Sequence, residues 1–399
     1  MVTADRQQAG GFAGIGPVTP RPADDLAPLL AWLRTGQEPT GRLDFTAGTA
    51  LPDGRLDLCK QALGPDGAAA VADALRPGPV RHLLLGTDGL GDQGASTVTE
   101  KAAGSGIETL YLGCNGITAG GVCRIADGLR ASPQAVTGVW LKRNPLGADG
   151  GGGGRAVADL VESARSLRTL DLVQTGLDAP QLALVAEALA TADRQGRRIE
   201  RLYAGGNPLG AEGARPLAAL LADGAVGELY AAAARLGDEG ALLLADALAR
   251  APHGRLRRLS VASNGIGPRA AAALVSAAVA AGVEVCDLGR VKAAGALGAR
   301  DNHVDEDAAR TIAGALAERP HRMTHLVLAH TGMRSREAHR LLDTAPHAAT
   351  PTRFLLGKGI AASVRRRLDA LAGRIPPLPP VPADVAAIRS VHRQPPPGT

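Results

Sequence analysis

A twelve-residue pattern returns along this chain at nearly constant spacing, and it limits the fold more than any other feature. Leu-x-Leu-x-x-Asn-x-Leu-Gly-x-x-Gly appears from Leu110 to Gly121 with Ile117 and Thr118 at its Leu-Gly positions, from Val139 to Gly150 with Val139 for the first Leu, and from Leu202 to Gly213 with Ala204 for the second. Weaker copies start at Leu56, Leu83, Leu170, Leu229, Leu259 and Leu326, a degraded one at Cys286 and a last one at Phe354. Successive starts are separated by 27, 27, 29, 31, 32, 27, 30, 27, 40 and 28 residues. A fixed period of this size belongs to stacked arrays, in which no repeat can bury its own faces and each needs its neighbours. Composition agrees. Hydrophobic residues make up 45% of the chain but aromatic ones only 2%, so the apolar mass is Ala, Leu and Val, suited to thin layers at regular spacing.

Each position of the pattern has a physical role. The two Leu of Leu-x-Leu point inward from a short parallel strand and form one core layer. The side chain at the Asn position (Asn115, Asn144, Asn207, Asn264, Asn302) can bond backbone groups of the turn and stack as a ladder between repeats. Gln61, Asp88 and Thr175 occupy the same slot and can partly replace it, whereas Ala234 cannot, so the ladder is expected to break there. The Gly lets the chain turn tightly. Stretches such as GAAAVADAL ending at Leu75, GVCRIADGL ending at Leu129 and LLLADAL ending at Leu248 follow, with apolar residues at i, i+3 and i+4, so each repeat closes with a helix.

The pattern resembles the ribonuclease-inhibitor-like class of leucine-rich repeats, over about residues 43 to 370. That class includes ribonuclease inhibitor, the Ran GTPase-activating protein and the repeat domains of nucleotide-binding immune receptors. The resemblance implies an α/β horseshoe solenoid of about ten to eleven repeats, with a parallel β-sheet on the concave face and helices on the convex face. It carries little about function, because these relatives share an architecture only. Ribonuclease inhibitor is cysteine-rich with two alternating repeat types; this chain has four cysteines and one repeat type, so ribonuclease inhibition is not carried over. The Ala- and Arg-rich, Lys-poor composition is similar to that of chains from GC-rich bacterial genomes.

The ends and interruptions divide the chain into residues 1–40, a disordered start and helical cap; 41–372, the solenoid; and 373–399, a Pro-rich tail. Asp24-Asp25 can cap a short helix through Leu33, whose Leu26, Leu29, Leu30 and Leu33 would cover the first repeat. Gly150 to Gly154 reads as a flexible loop; no Lys-Ser or Lys-Thr follows, so it is not a phosphate-binding loop. Gly289 to Arg300 is an insertion behind the strand at Cys286 and accounts for the 40-residue step. The tail, IPPLPPVP to residue 382 and then a short helix, is expected as extended polyproline, a linker or stalk; Arg374-x-x-Pro377-x-x-Pro380 also matches the pattern read by SH3 domains.

The residue between the two Leu points away from the core onto the concave face. Down the chain that column reads Asp57, Leu84, Tyr111, Trp140, Asp171, Tyr203, Tyr230, Ser260, Asp287 and Val327. All three tyrosines and one of two tryptophans fall in it. Tyr111, Trp140, Asp171, Tyr203 and Tyr230 occupy five consecutive strands, a stripe of about 19 Å at ordinary strand spacing. Flanking positions add charge: Lys142, Arg143, Arg201 and Arg258, with Arg55, His82, Lys60, His325 and His330 nearby and Asp57 and Glu228 interspersed. Contiguous exposed aromatics mark interaction sites, and Tyr, Trp and Arg dominate binding hot spots.

Catalytic signatures are missing. There is no Gly-x-Ser-x-Gly, no HExxH and no GxGxxG opening a βαβ unit. His321, His325, His330 and His339 cluster in sequence, but His325 already enters a strand, so no metal site and no cofactor are expected. Cys59, Cys114, Cys123 and Cys286 lack metal-ligand spacing and read as reduced thiols. No secretory signal and no apolar run long enough to span a membrane is present, which points to the cytoplasm. Net charge of +5 permits an acidic partner without demanding nucleic acid. The chain therefore reads as a monomeric, non-catalytic scaffold with a protein partner on Tyr111, Trp140, Asp171, Tyr203, Tyr230, Lys142, Arg143, Arg201 and Arg258. Alternatives are a GTPase-regulating accessory and nucleic-acid binding through an Arg-rich face.

Overall fold

In the computed structural model the described residues are 18–392, except 103, 133, 134 and 149. The expected disorder before residue 18 and the last Pro-rich stretch after 392 lie outside them. The chain forms two compact units, 18–177 with 381–392, and 178–380. Both are leucine-rich-repeat solenoids built from alternating short strands and helices.

The first unit opens with helix α1 (Ala27–Thr35) and an antiparallel hairpin, β1 (Leu43–Phe45) and β2 (Gly48–Ala50). The repeats follow as β3 (Arg55–Asp57), α2 (Gly64–Ala74), β4 (His82–Leu84), α3 (Gly91–Ala102), β5 (Thr109–Tyr111), α4 (Ala119–Ala131), β6 (Gly138–Trp140), α5 (Gly152–Ser163) and β7 (Thr169–Asp171). From β3 onward the strands pair in parallel, with Leu56, Leu83, Leu110, Val139 and Leu170 side by side. The edge strand Leu43–Phe45 pairs antiparallel through the hairpin.

The second unit runs α6 (Ala179–Arg194), β8 (Ile199–Tyr203), α7 (Gly210–Asp223), β9 (Val226–Tyr230), α8 (Gly237–Arg250), β10 (Arg258–Ser260), α9 (Pro268–Ala280), β11 (Val285–Asp287), α10 (Glu306–Glu318), β12 (His325–Val327), α11 (Ser335–Thr344), β13 (Arg353–Leu355) and α12 (Ala362–Leu371). Here Leu202, Leu229, Leu259, Cys286, Leu326 and Phe354 are paired side by side. Every repeat start read from the sequence is thus the next-to-last residue of a strand. A last helix, α13 (Ala383–Ala387), belongs to the C-terminal part of the first unit.

The Asn ladder sets the register between repeats. Asn144 Oδ1 accepts from the backbone N–H of Asn115 (2.9 Å) and Ile117 (3.1 Å), and its Nδ2 donates to Leu112 O (3.0 Å) and Leu141 O (2.8 Å). Asn115 does the same one repeat earlier, and Asn264 and Asn302 repeat it in the second unit. A single buried side chain thereby satisfies four backbone groups of two successive turns, which would otherwise be stranded in the core. The residue before the ladder position is left-handed in repeat after repeat: Lys60, Thr87, Cys114, Arg143, Gln174, Ala233, Ser263 and His330 all have φ between 53° and 66°, and Gly206 lies at 71°. At Ala234 the ladder breaks as expected, and Leu209 N instead donates to Asn207 O (2.9 Å). Asn302 stays in the ladder although the insertion separates it from Leu288, so residues 289–300 bulge out without disturbing the stack.

Two local expectations are corrected. Asp24 and Asp25 do not cap α1; they lie in a 3-10 turn, and Leu26 precedes the helix without a side-chain bond. The end is still covered, since Leu29 and Leu33 are fully buried and Leu26 is 3% exposed. The five glycines are not simply a loop. Gly152, Gly153 and Gly154 form the first turn of α5, with Gly153 and Gly154 buried, and only Gly150 and Gly151 take positive φ at its start.

Candidate functional site

Residues two apart on a strand share a face. On the first unit the outward face therefore carries Arg55 and Asp57, His82 and Leu84, Thr109 and Tyr111, Gly138 and Trp140, Thr169 and Asp171, in adjacent registers. The sequence predicts this face open to solvent, and the structure differs. Asp57 and Leu84 are 0% exposed, Asp171 3% and Trp140 4%. Tyr111 is half-buried with Lys142 Nζ 5.1 Å above its ring, and Arg143 is exposed. Trp140 is therefore a packed side chain rather than an exposed anchor.

The cover is the chain's own C-terminal segment, expected from the sequence as a linker or stalk. Asp384 meets Thr169 Oγ1 on β7 (3.4 Å), and the segment runs on to Arg55 on β3, whose Nη1 donates to Arg389 O (2.8 Å). It ends on Asp57. The Oδ1 of Asp57 accepts the N–H of Cys59 (3.1 Å) in a local Asx turn; Oδ2 accepts Ser390 Oγ (2.8 Å) and the successive backbone N–H groups of Val391 and His392 (2.8 Å). His392 Nδ1 also meets Thr49 Oγ1 (2.9 Å), and Arg42 Nη2 donates to Val391 O (3.3 Å). Burial alone would raise the Asp57 carboxyl, but these donated hydrogen bonds outweigh it and hold the group below the usual carboxylate range. A cleft of about 590 Å³ remains beside the segment, between Cys59, Tyr111 and Lys142 on one side and Ile388 and Arg389 on the other.

Asp171, expected among the partner-contact residues, is engaged internally. Its Oδ1 accepts the N–H of Val173 (2.8 Å), the same Asx turn as at Asp57. Burial pushes its carboxyl up to about 7, against the opposing effects of that bond and of Lys142. Asp287 makes a third such turn with Gly289 N (2.8 Å). Acidic residues in this column are thus explained first by the turn at the strand exit.

On the second unit the face is partly open. Tyr203 and Tyr230 stack with ring centroids 4.3 Å apart and planes 9° from parallel. Tyr230 Oη donates to Glu228 Oε2 (2.8 Å), and burial, then the Glu228 charge, raises the phenol. Glu228 is 2% exposed, and the sequence reading gave it no special part. Arg201 (3.5 Å), Arg257 (3.7 Å) and Arg258 (3.7 Å) converge on it. The Pro-rich stretch lies along this face by its carbonyls: Arg258 Nη2 donates to Pro380 O (2.6 Å), His325 Nε2 lies 2.9 Å from Pro376 O, and Arg353 donates to Ile375 O and Ala372 O (2.9 Å each). Of the histidine cluster, His325 is spent on this contact and His321 Nδ1 accepts Met323 N (3.1 Å). Among the described residues no group of three or more His, Cys, Asp or Glu could hold a metal ion, and no helix is long and apolar enough to cross a membrane.

No family model and no curated protein matches the chain. Among solved structures, the leucine-rich repeat-containing protein LegL7 from Legionella pneumophila is similar over 90% of this chain and 98% of its own, at 12% identity and a TM-score of 0.49. Actin-binding site 2 of leiomodin-1 is similar over 44% of this chain and 94% of its own, at 16% identity and a TM-score of 0.35.

Proposed function

We propose that the chain is a non-catalytic protein-interaction scaffold of the ribonuclease-inhibitor-like kind that takes a protein partner on its strand face. The observation that carries this reading is the Tyr203–Tyr230 stack, half-buried and ringed by Arg201, Arg257 and Arg258 around Glu228. Stacked, pre-positioned aromatics beside guanidinium groups lose little conformational entropy on binding and are the commonest hot-spot chemistry. In the first unit Tyr111, Lys142 and the exposed Arg143 are the corresponding contact group, with Trp140 and Asp171 beside Tyr111 in the same column of the face.

The test is a partner captured on the full chain, with affinity then measured on purified components. The double variant Tyr203→Ala/Tyr230→Ala is expected to bind at least about 30-fold more weakly, the loss of a hot spot of about 2 kcal/mol. Equal affinity of the variant and the parent chain overturns the reading. An affinity that collapses with salt and is carried by nucleic acid would replace the protein partner.

A further inference from the structure

The two tail contacts differ in chemistry in a way that fits the sequence of the tail. Proline has no backbone N–H, so residues 376–380 offer mainly carbonyl oxygens, and the second unit meets them with Arg and His donors. Residues 390–392, Ser-Val-His, offer a hydroxyl and two successive N–H groups, and the first unit meets them with one carboxylate oxygen. Arg55 and Arg42 on either side of that carboxylate take the carbonyls of Arg389 and Val391, so donors and acceptors alternate along the segment. Directly after helix α13, the main chain of residues 389–392 is thus matched group by group rather than packed as a loose end. Asp57 is wholly buried with the segment in place, and the three donors to its Oδ2 found among the described residues all come from that segment.

We infer that the strand face of the first unit is a receptor for a short non-helical peptide segment of Arg-Ser-apolar-His character, and that residues 389–392 are its resident ligand, which a partner segment of the same chemistry must displace. The inference rests on the reading of the strand face as the binding surface and adds what that surface recognises and what closes it. A tethered segment competes at an effective concentration in the millimolar range, so the closed state excludes free ligands present at micromolar levels.

The experiment uses the full chain and a fluorescent synthetic peptide of residues 381–392. In the parent protein the amides of Val391 and His392 are expected to be protected from hydrogen exchange, and the peptide to bind at least 10-fold more weakly than to Ser390→Asp, which sets a second carboxylate against Asp57 and releases the tail. Val391→Pro, which deletes one donor without touching the face, is the second releasing variant and is expected to admit the peptide in the same way. Adding Asp57→Asn to either is expected to abolish peptide binding. Free exchange at Val391 and His392 in the parent protein, unchanged protection in both tail variants, or peptide binding indifferent to Asp57 would each overturn the inference. No partner enters these measurements, so their outcome stands apart from the effect of Tyr203 and Tyr230 on partner binding.

Discussion

At the scale of the residue, the ladder shows how one atom decides stability. Asp88 holds a ladder slot, and its Oδ1 accepts Gln61 N (2.7 Å) as an Asn oxygen would. Its second oxygen, however, occupies the place where Asn115 and Asn144 present an NH₂ to two carbonyls, and it has no partner. Burial pushes the carboxyl up to about 8, against the bonds from Gln61, Leu63 and Ala62. An acid whose folded pKa is raised favours the folded state only while protonated. Between the ordinary value near 3.9 and about 8, rising pH charges the unfolded chain first and weakens the fold. Asp88→Asn supplies the missing donors and removes the titration. It is expected to stabilise the chain by about 1 to 3 kcal/mol at pH 9 and by less at pH 5, read from urea midpoints at the two values. The ladder positions were legible because Asn recurs at fixed offset; the part of Asp57 was not, because its partners lie 333 to 335 residues away.

At the scale of the element, the strands and helices follow from periodicity, and the departures have local causes. Three of the five glycines join a helix, and two of them, Gly153 and Gly154, are buried at its start. The glycine of the Leu-Gly pair has a specific reason at Gly147. A Cβ there would lie 2.0 Å from Gly176 O, a backbone atom that cannot step aside. The N–H of Gly147 also donates to Thr175 O (3.0 Å), which fixes its place against the next repeat. The cap helix α1 is the element whose loss matters most at the chain's start, because an uncovered terminal layer exposes apolar surface. Leu33→Ala removes a wholly buried side chain from it and is expected to cost about 2 to 5 kcal/mol. The measurement is the chemical-denaturation midpoint with the exchange of α2 and β3 alongside; a surface substitution such as Arg34→Ala should leave both unchanged, and an unaltered midpoint in Leu33→Ala would show that α1 is not a structural cap.

At the scale of the whole molecule, the contacts that the repeat encodes are local, and that is why the sequence showed the architecture and missed the closure of its face. Within each unit the repeat helices pack on their neighbours, as α4 does on α3 and α5 and α9 on α8 and α10, so one repeat informs the next and the pattern is legible. The C-terminal segment has no period and returns to strands at the other end of the sequence, which no spacing within the repeats announces. The same locality governs how damage spreads. Leu274 is fully buried in α9, and Leu274→Ala leaves a cavity worth about 2 to 5 kcal/mol. In an array with nearest-neighbour coupling, that loss lowers the opening free energy of the repeats that share the cavity and fades with distance. Amide exchange in α8, α9 and α10 is therefore expected to accelerate by roughly 30-fold or more, the rate equivalent of about 2 kcal/mol, while α12 and β13 stay within about twofold of the parent chain. Uniform acceleration over residues 178–380 would instead show that the second unit opens as one cooperative body, and its stability could then no longer be treated as a sum over neighbouring repeats.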